Sequence, residues 1–181
     1  MKILGISGSL RQGSFNTRLL HLAQGLAPDG VTIDLFDLAP IPLYNEDVRA
    51  AGFPPPVAAL REAIRAADAL LFATPEYNFS VSGVLKNAID WASRPPDQPF
   101  ADKPAAVMGA STGLNGTVRA QFHLRQILVG VNVHVVNRPE VMIRQAADKF
   151  DAAGALTDEK AREHLQALVA ALVEWTNRIR K

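Results

Sequence analysis

Five short apolar runs recur along the chain. Each is followed by a longer segment whose apolar residues fall at helical spacing, and this alternation constrains the fold more than any other feature. Lys2 to Ser7, Val31 to Phe36, Ala69 to Thr74, Ala105 to Ala110 and Val131 to Val136 have the length of strands. Nearly continuous apolar runs of this size suit parallel strands, in which both faces of every strand must find a dry neighbour. The intervening segments read as helices. Leu19, Leu20 and Ala23 mark the first, and Val57, Leu60 and Ile64 the second. Val84, Leu85, Ala88 and Ile89 mark the third, with Ser82 as its N-cap, and Phe122, Ile127 and Leu128 the fourth. The last is opened by Thr157, Asp158 and Glu159 and keeps Leu165, Leu168, Val169, Leu172 and Ile179 on one face.

Five strand–helix units in series predict an α/β three-layer sandwich, a parallel sheet with right-handed crossovers and helices on both faces. Five strands favour the flavodoxin-like order 2-1-3-4-5 over the six-stranded dinucleotide fold. The proline-rich stretches at 40–42, 54–56 and 95–99 fall between elements as loops. No linker or repeat divides the chain, so it reads as one domain over residues 1–181.

Charge and composition exclude several classes of function. The formal net charge is +1 and the basic residues are scattered, which argues against a nucleic-acid partner or an anionic membrane surface. Cysteine is absent, which removes disulfides, thiolate nucleophiles and cysteine-ligated metals together. His21, His123, His134 and His164 show no metal-ligand spacing, so no metal site is expected. Any redox chemistry would therefore rest on a bound organic cofactor. No apolar run approaches the ~20 residues needed to cross a bilayer, and a soluble cytoplasmic protein is the expectation.

In a doubly wound sheet, ligands bind beyond the carboxyl ends of the strands where the strand order reverses. The first strand leads through Gly8-Ser9-Leu10-Arg11-Gln12-Gly13-Ser14-Phe15-Asn16 into the first helix. A helix N-terminus offers unpaired N–H groups and the positive end of the helix dipole, and here Ser9, Ser14, Asn16 and Arg11 supply further donors. The pattern GxGxxG is missing. Gly8 and Gly13 have the spacing of a triphosphate-binding loop, but Ser14 stands where that loop needs lysine. A single terminal phosphate fits better than a triphosphate. The loop after the third strand, Pro75-Glu76-Tyr77-Asn78, is predicted to lie beside it at the same sheet edge.

Three segments, GSLRQGSFN, PEYNFSVSGVLKNAIDWASR and GASTGLNGTVRAQFHLRQIL, together resemble the NAD(P)H-dependent FMN reductases, a flavodoxin-like family that includes quinone, chromate and azo-dye reductases. The resemblance runs nearly end to end. It implies that Ser9, Arg11, Ser14 and Asn16, with Phe15 beside them, hold the FMN phosphate. Pro75, Glu76, Tyr77 and Asn78 would wrap the isoalloxazine, largely with backbone groups, and Ser111, Thr112 and Gly113 would line its other side. Two positions depart from the family pattern: Ser82 replaces a frequent Pro, and Thr117 replaces a frequent Gly after Gly116.

The implied activity is hydride transfer from NADPH or NADH through FMN to a small-molecule electron acceptor, by a ping-pong mechanism with no obligatory catalytic side chain. The resemblance also implies a homodimer or homotetramer, with Arg119 meeting Tyr77 at a subunit contact. Lys86 and Asp90 read as an i,i+4 surface ion pair. Trp91 reads as a core or interface anchor, His123 as structural or interfacial, and Arg125 as part of a solvated helix face. Tyr44 to Asp47 read as a polar turn. The alternatives are a flavodoxin-like electron carrier and a non-catalytic FMN-binding regulatory protein, since fold alone does not separate them.

Overall fold

A computed structural model describes residues 1–180. Its elements, in chain order, are β1 (Lys2–Ser7), α1 (Phe15–Gly25), β2 (Thr32–Phe36), α2 (Glu46–Ala50), α3 (Pro55–Ala66), β3 (Ala69–Ala73), α4 (Gly83–Ala92), β4 (Pro104–Ala110), α5 (Val118–Gly130), β5 (His134–Val135), β6 (Val141–Ile143) and α6 (Glu159–Ile179), with a 3-10 turn at Ala146–Asp148 before the last helix. The sheet runs β2-β1-β3-β4-β5 with every pair parallel, which is the predicted order.

Alternation along the strands sorts the core into two layers. In β3, Ala69, Leu71 and Ala73 face the layer formed with Leu19, Leu20 and Ala23 of α1 and Leu165, Leu168, Val169 and Leu172 of α6. Leu70 and Phe72 face the other layer, formed with Leu60 and Ile64 of α3, Leu85, Ala88 and Ile89 of α4, and Leu124 and Leu128 of α5. All five β3 residues are buried, as a central strand covered on both sides requires.

Three expectations change. The fifth strand was expected from Val131 to Val136, yet β5 has two residues, and the edge of β4 is completed by β6. The cause lies at the end of α5. Val131 and Val133 still donate backwards to Leu128 at 3.2 and 3.0 Å, and Asn132 takes a left-handed φ of 56°, so the chain is free to extend only from His134. Pro139, which has no N–H, lies in the break before β6. In α5 the inward stripe is Ala120, Gln121, Leu124 and Leu128, whereas Phe122 is 57% exposed and Ile127 half-buried. Finally, the polar turn after β2 continues into the short helix α2, capped by Asn45, whose side chain accepts from Asp47 N–H at 2.8 Å. At α6 the N-cap is Asp158 itself, accepting from Ala161 N–H at 2.9 Å. Among the described residues, no helix is long and apolar enough to cross a membrane.

Candidate functional site

Because β1, β3 and β4 are neighbours, the loops that leave their carboxyl ends meet. Between them lies a cavity of about 300 Å³. Its walls are Ser9, Arg11, Ser14, Phe15 and Asn16 from the first loop, Pro75, Glu76 and Tyr77 from the second, and Ala110, Ser111 and Thr112 from the third. Asn78 and Gly113 stand just outside it, both exposed. Ala110 was not foreseen: it contributes backbone and a methyl group, and nothing in its side chain signals a site.

The first loop is shaped by its own residues. Ser14 N–H donates to Arg11 carbonyl at 3.1 Å, closing a turn in which Gly13 has φ +71°, a conformation that strains any residue with a Cβ. Ser14 then caps α1, its hydroxyl accepting from Thr17 N–H at 3.3 Å while its own proton stays free to donate. The first N–H groups of the helix, on Phe15 and Asn16, have no intrahelical partner by the geometry of any helix. They open at the cavity with Ser9 and Arg11, a donor set with the chemistry of an anion site. Asn16 does different work from its neighbours. It is buried, and its side chain accepts from Ala110 N–H at 2.9 Å and donates to Ala110 carbonyl at 3.0 Å, so it ties the first loop to the third.

The second loop is held from a distance. Tyr77 and Ser80 exchange backbone hydrogen bonds of 3.1 and 3.0 Å around Asn78 (φ 49°) and Phe79 (φ 65°), a two-residue turn with both central residues left-handed. The Glu76 side chain faces away from ligand chemistry. One carboxylate oxygen accepts from the N–H groups of Arg119 and Ala120 at 3.0 and 3.1 Å, and the other from the Arg119 guanidinium at 3.2 Å. Thr117, at the N-cap of α5, makes no side-chain cap, so Glu76 supplies it from another loop. The Arg119 guanidinium also lies 4.2 Å from the Phe79 ring centroid, and Ser80 and His123 are hydrogen-bonded at 3.0 Å. Arg119 and His123 therefore brace the second loop within the chain.

The two departures from the family pattern are accommodated. Ser82 caps α4 by accepting from Leu85 N–H at 3.3 Å, and its hydroxyl donates to Gly8 carbonyl at 2.6 Å, which links the first loop to the helix after the second. Thr117 is fully buried against Gly109, where a Cβ on the glycine would collide with it and with the Thr74 carbonyl.

Several side chains turn out to be structural. Lys86 and Asp90 form the expected pair at 2.8 Å. Trp91 is fully buried, donates to Pro42 carbonyl at 2.8 Å and stands edge-on to Tyr44, thereby holding the loop before α2. Arg125 leaves the solvated face assigned to it, because its guanidinium turns inward to Val136 carbonyl at 2.9 Å, and burial pushes its pKa down.

Comparison with known proteins adds an independent line. Residues 1–148 match the family model described as NADPH-dependent FMN reductase. The chain is 63% identical over 180 residues to an NAD(P)H-dependent FMN reductase of Pseudomonas aeruginosa, covering 99% of this chain and 97% of that one. It is 43% identical over 183 residues to a quinone reductase of Escherichia coli, with 99% and 97% covered. Among solved structures, the flavoenzyme NAD(P)H:(acceptor) oxidoreductase FerB from Paracoccus denitrificans superposes with a TM-score of 0.89 at 39% identity, covering 98% of this chain and 97% of that one.

Proposed function

The chain belongs to the NADPH-dependent FMN reductase family, and on that premise we propose how its geometry serves an NAD(P)H-dependent flavin oxidoreductase that reduces quinones and other small acceptors. One observation carries the reading. A single cavity joins an anion-binding helix N-terminus to a wall of loop backbone, while the carboxylate that could have disturbed a flavin, Glu76, is turned into the fold. Ser9, Arg11, Ser14 and the N–H groups of Phe15 and Asn16 hold the phosphate. Pro75, Glu76, Tyr77 and Asn78 support one side of the ring through backbone, and Ser111, Thr112 and Gly113 the other. Asn16 contributes mainly by fixing Ala110, and so the distance between the phosphate end and the third loop.

FMN held by these residues would supply the redox chemistry that links NAD(P)H oxidation to reduction of the acceptor. The protein's part is to fix the ring and leave one approach open. Arg11, Tyr77 and Thr112 are exposed at the cavity, and no second nucleotide fingerprint is present in the sequence. NAD(P)H and acceptor therefore take turns at one place, and no side chain of this chain serves as an obligatory acid or base. Tyr77, Phe79, Leu114 and Phe122 are large, apolar and exposed around the same loops, which supports a homo-oligomer whose subunits meet near the ring. A reaction fed by NAD(P)H belongs with that nucleotide pool, in the cytoplasm.

The test is steady-state oxidation of NADH and NADPH with quinone, chromate, azo-dye and free-flavin acceptors, on protein whose bound flavin is identified after heat release. Parallel double-reciprocal lines are expected. Intersecting lines overturn the alternating use of one site, and the absence of turnover with every acceptor overturns the enzymatic reading.

A further inference from the structure

The flavin cavity has a neighbour. Between α1 and the end of β2 lies a second cavity of about 290 Å³, walled by Leu20 and Leu35, floored by the hydroxyls of Ser7 and Thr17, and roofed by Ser9 and Leu10. Ser9 belongs to both cavities. Strand order sets their relation. The ring end of the flavin site lies over β3 and β4 and its phosphate end over β1, so the second cavity, over β2, continues the line of the ligand on the side away from the ring.

The chemistry of the lining is that of a nucleoside site. Leu10 and Leu35 offer apolar surface for the faces of a purine, and Leu10 is 50% exposed at the rim. The Ser7 and Thr17 hydroxyls, paired at 2.9 Å, retain acceptor capacity for a base edge. At the mouth stands Asp37, at the end of the second strand. One of its oxygens accepts from Ala39 N–H at 2.9 Å, and the other has no partner among the described residues. A carboxylate at the end of the second strand, beside a phosphate-binding first loop, is the arrangement that doubly wound folds use for the hydroxyls of an adenosine ribose. Its negative charge also disfavours a further phosphate there and favours a sugar diol.

We propose that this cavity is a nucleoside pocket and that the chain holds FAD as well as FMN, with the adenosine half of FAD seated between α1 and β2. The inference rests on the placement of the FMN phosphate proposed above. No bond is made or broken: the second phosphate of FAD continues past Ser9, and the adenosine fills the pocket.

The experiment is calorimetric titration of the flavin-free, full-length protein with FMN and with FAD. FAD is expected to bind within about tenfold of FMN, since the buried adenosine offsets the cost of ordering a longer ligand. Asp37→Ala is expected to weaken FAD about tenfold, the size of one charged hydrogen bond, and to leave FMN within about twofold. His21→Trp, at an exposed helix position lining the cavity, fills it without touching the core and is expected to weaken FAD more than Asp37→Ala does. FAD binding about a hundredfold weaker than FMN overturns the pocket. So does FAD binding that neither variant changes, or a loss shared equally by both flavins. Failure of both flavins to bind overturns instead the placement of FMN on which the inference stands.

Discussion

The two ends of the cavity proposed for the flavin are built by different means. At the end proposed for the phosphate, a glycine turn, a serine cap and a helix start follow one another within Arg11–Asn16, shaped by short-range bonds from Ser14 to Arg11, Thr17 and Arg18. Asn16–Ala110 and Ser82–Gly8 tie the loop to the rest of the fold. At the ring end, the Tyr77–Ser80 turn is closed locally, but its orientation depends on Glu76, Phe79 and Ser80 meeting Arg119, Ala120 and His123, 40 to 44 residues further along. The shape of the first loop is thus largely a property of its local sequence. The ring site is a property of how two helices and two loops pack.

Asn16→Ala removes one of the two long-range ties of the first loop, the other being Ser82 to Gly8, and carries the largest expected effect. It leaves the N–H and C=O of Ala110 unpaired in a buried place, at about 1–3 kcal/mol each. For a chain of this size that corresponds to a fall in Tm on the order of 5–15 °C, read by calorimetry on flavin-free protein so that ligand loss does not enter. A change of less than about 2 °C places the rigidity of that end elsewhere.

Glu76→Ala removes the cap of α5 and should cost about 1–3 kcal/mol in denaturant unfolding, combining a lost cap with a lost charge at a helix N-terminus. Glu76→Gln keeps an acceptor oxygen and should recover more than half of that. Equal losses in the two variants are evidence that charge, and not the cap, holds the ring end. In both variants FMN is expected to dissociate faster while Asn16 remains bonded to Ala110. Unchanged FMN release in Glu76→Ala dissolves the contrast between the two ends.

Phe79 sets two opposing effects against each other. Glycine there relieves a left-handed conformation worth roughly 1 kcal/mol but loses a cation–π contact of about 0.5–1 kcal/mol, so Phe79→Gly should be nearly neutral. Phe79→Ala loses the contact without the relief and should be the less stable by about 1 kcal/mol. The same stability for the two variants means that the turn carries no backbone strain.

The smallest effect is a control outside both ends. The Lys149 ammonium, and after it the Ala161 N–H, hold the Asp158 carboxyl below the usual carboxylate range. A pKa lowered by folding means that the stabilisation is complete above the unfolded value near ~3.9 and is lost as pH falls through the lower folded value. Stability from pH 7 to 5 should therefore be the same in Asp158→Asn as in the parent, apart from a constant few tenths of a kcal/mol. The two should converge only below about pH 4, and a difference that already varies at pH 6 contradicts the assignment.

Much of the fold was legible because burial follows period. The continuous apolar run of β3 and, in α6, Leu165, Leu168, Val169 and Leu172 correspond directly to residues that ended in the two core layers. The reading failed where packing overrode pattern. Phe122 looked like core and is exposed, because the inward face of α5 is set by Ala120, Gln121, Leu124 and Leu128, and Phe122 falls on the other side of the helix. The fifth strand was shortened to His134–Val135 by the left-handed Asn132, and Pro139 lies in the break before β6, consequences that depend on where α5 happens to end.

By itself the sequence determined the sheet order and the turn-and-cap shape of the first loop, because strand length, helix period, a turn glycine and a capping serine act through residues a few positions apart. Only the tertiary structure decided what Glu76, Asn16 and Arg119 do. A carboxylate in a loop reads equally well as a ligand, an acid or a cap. The choice is made by which unpaired N–H groups the fold brings within 3 Å of it, and those lie on a helix the loop does not know.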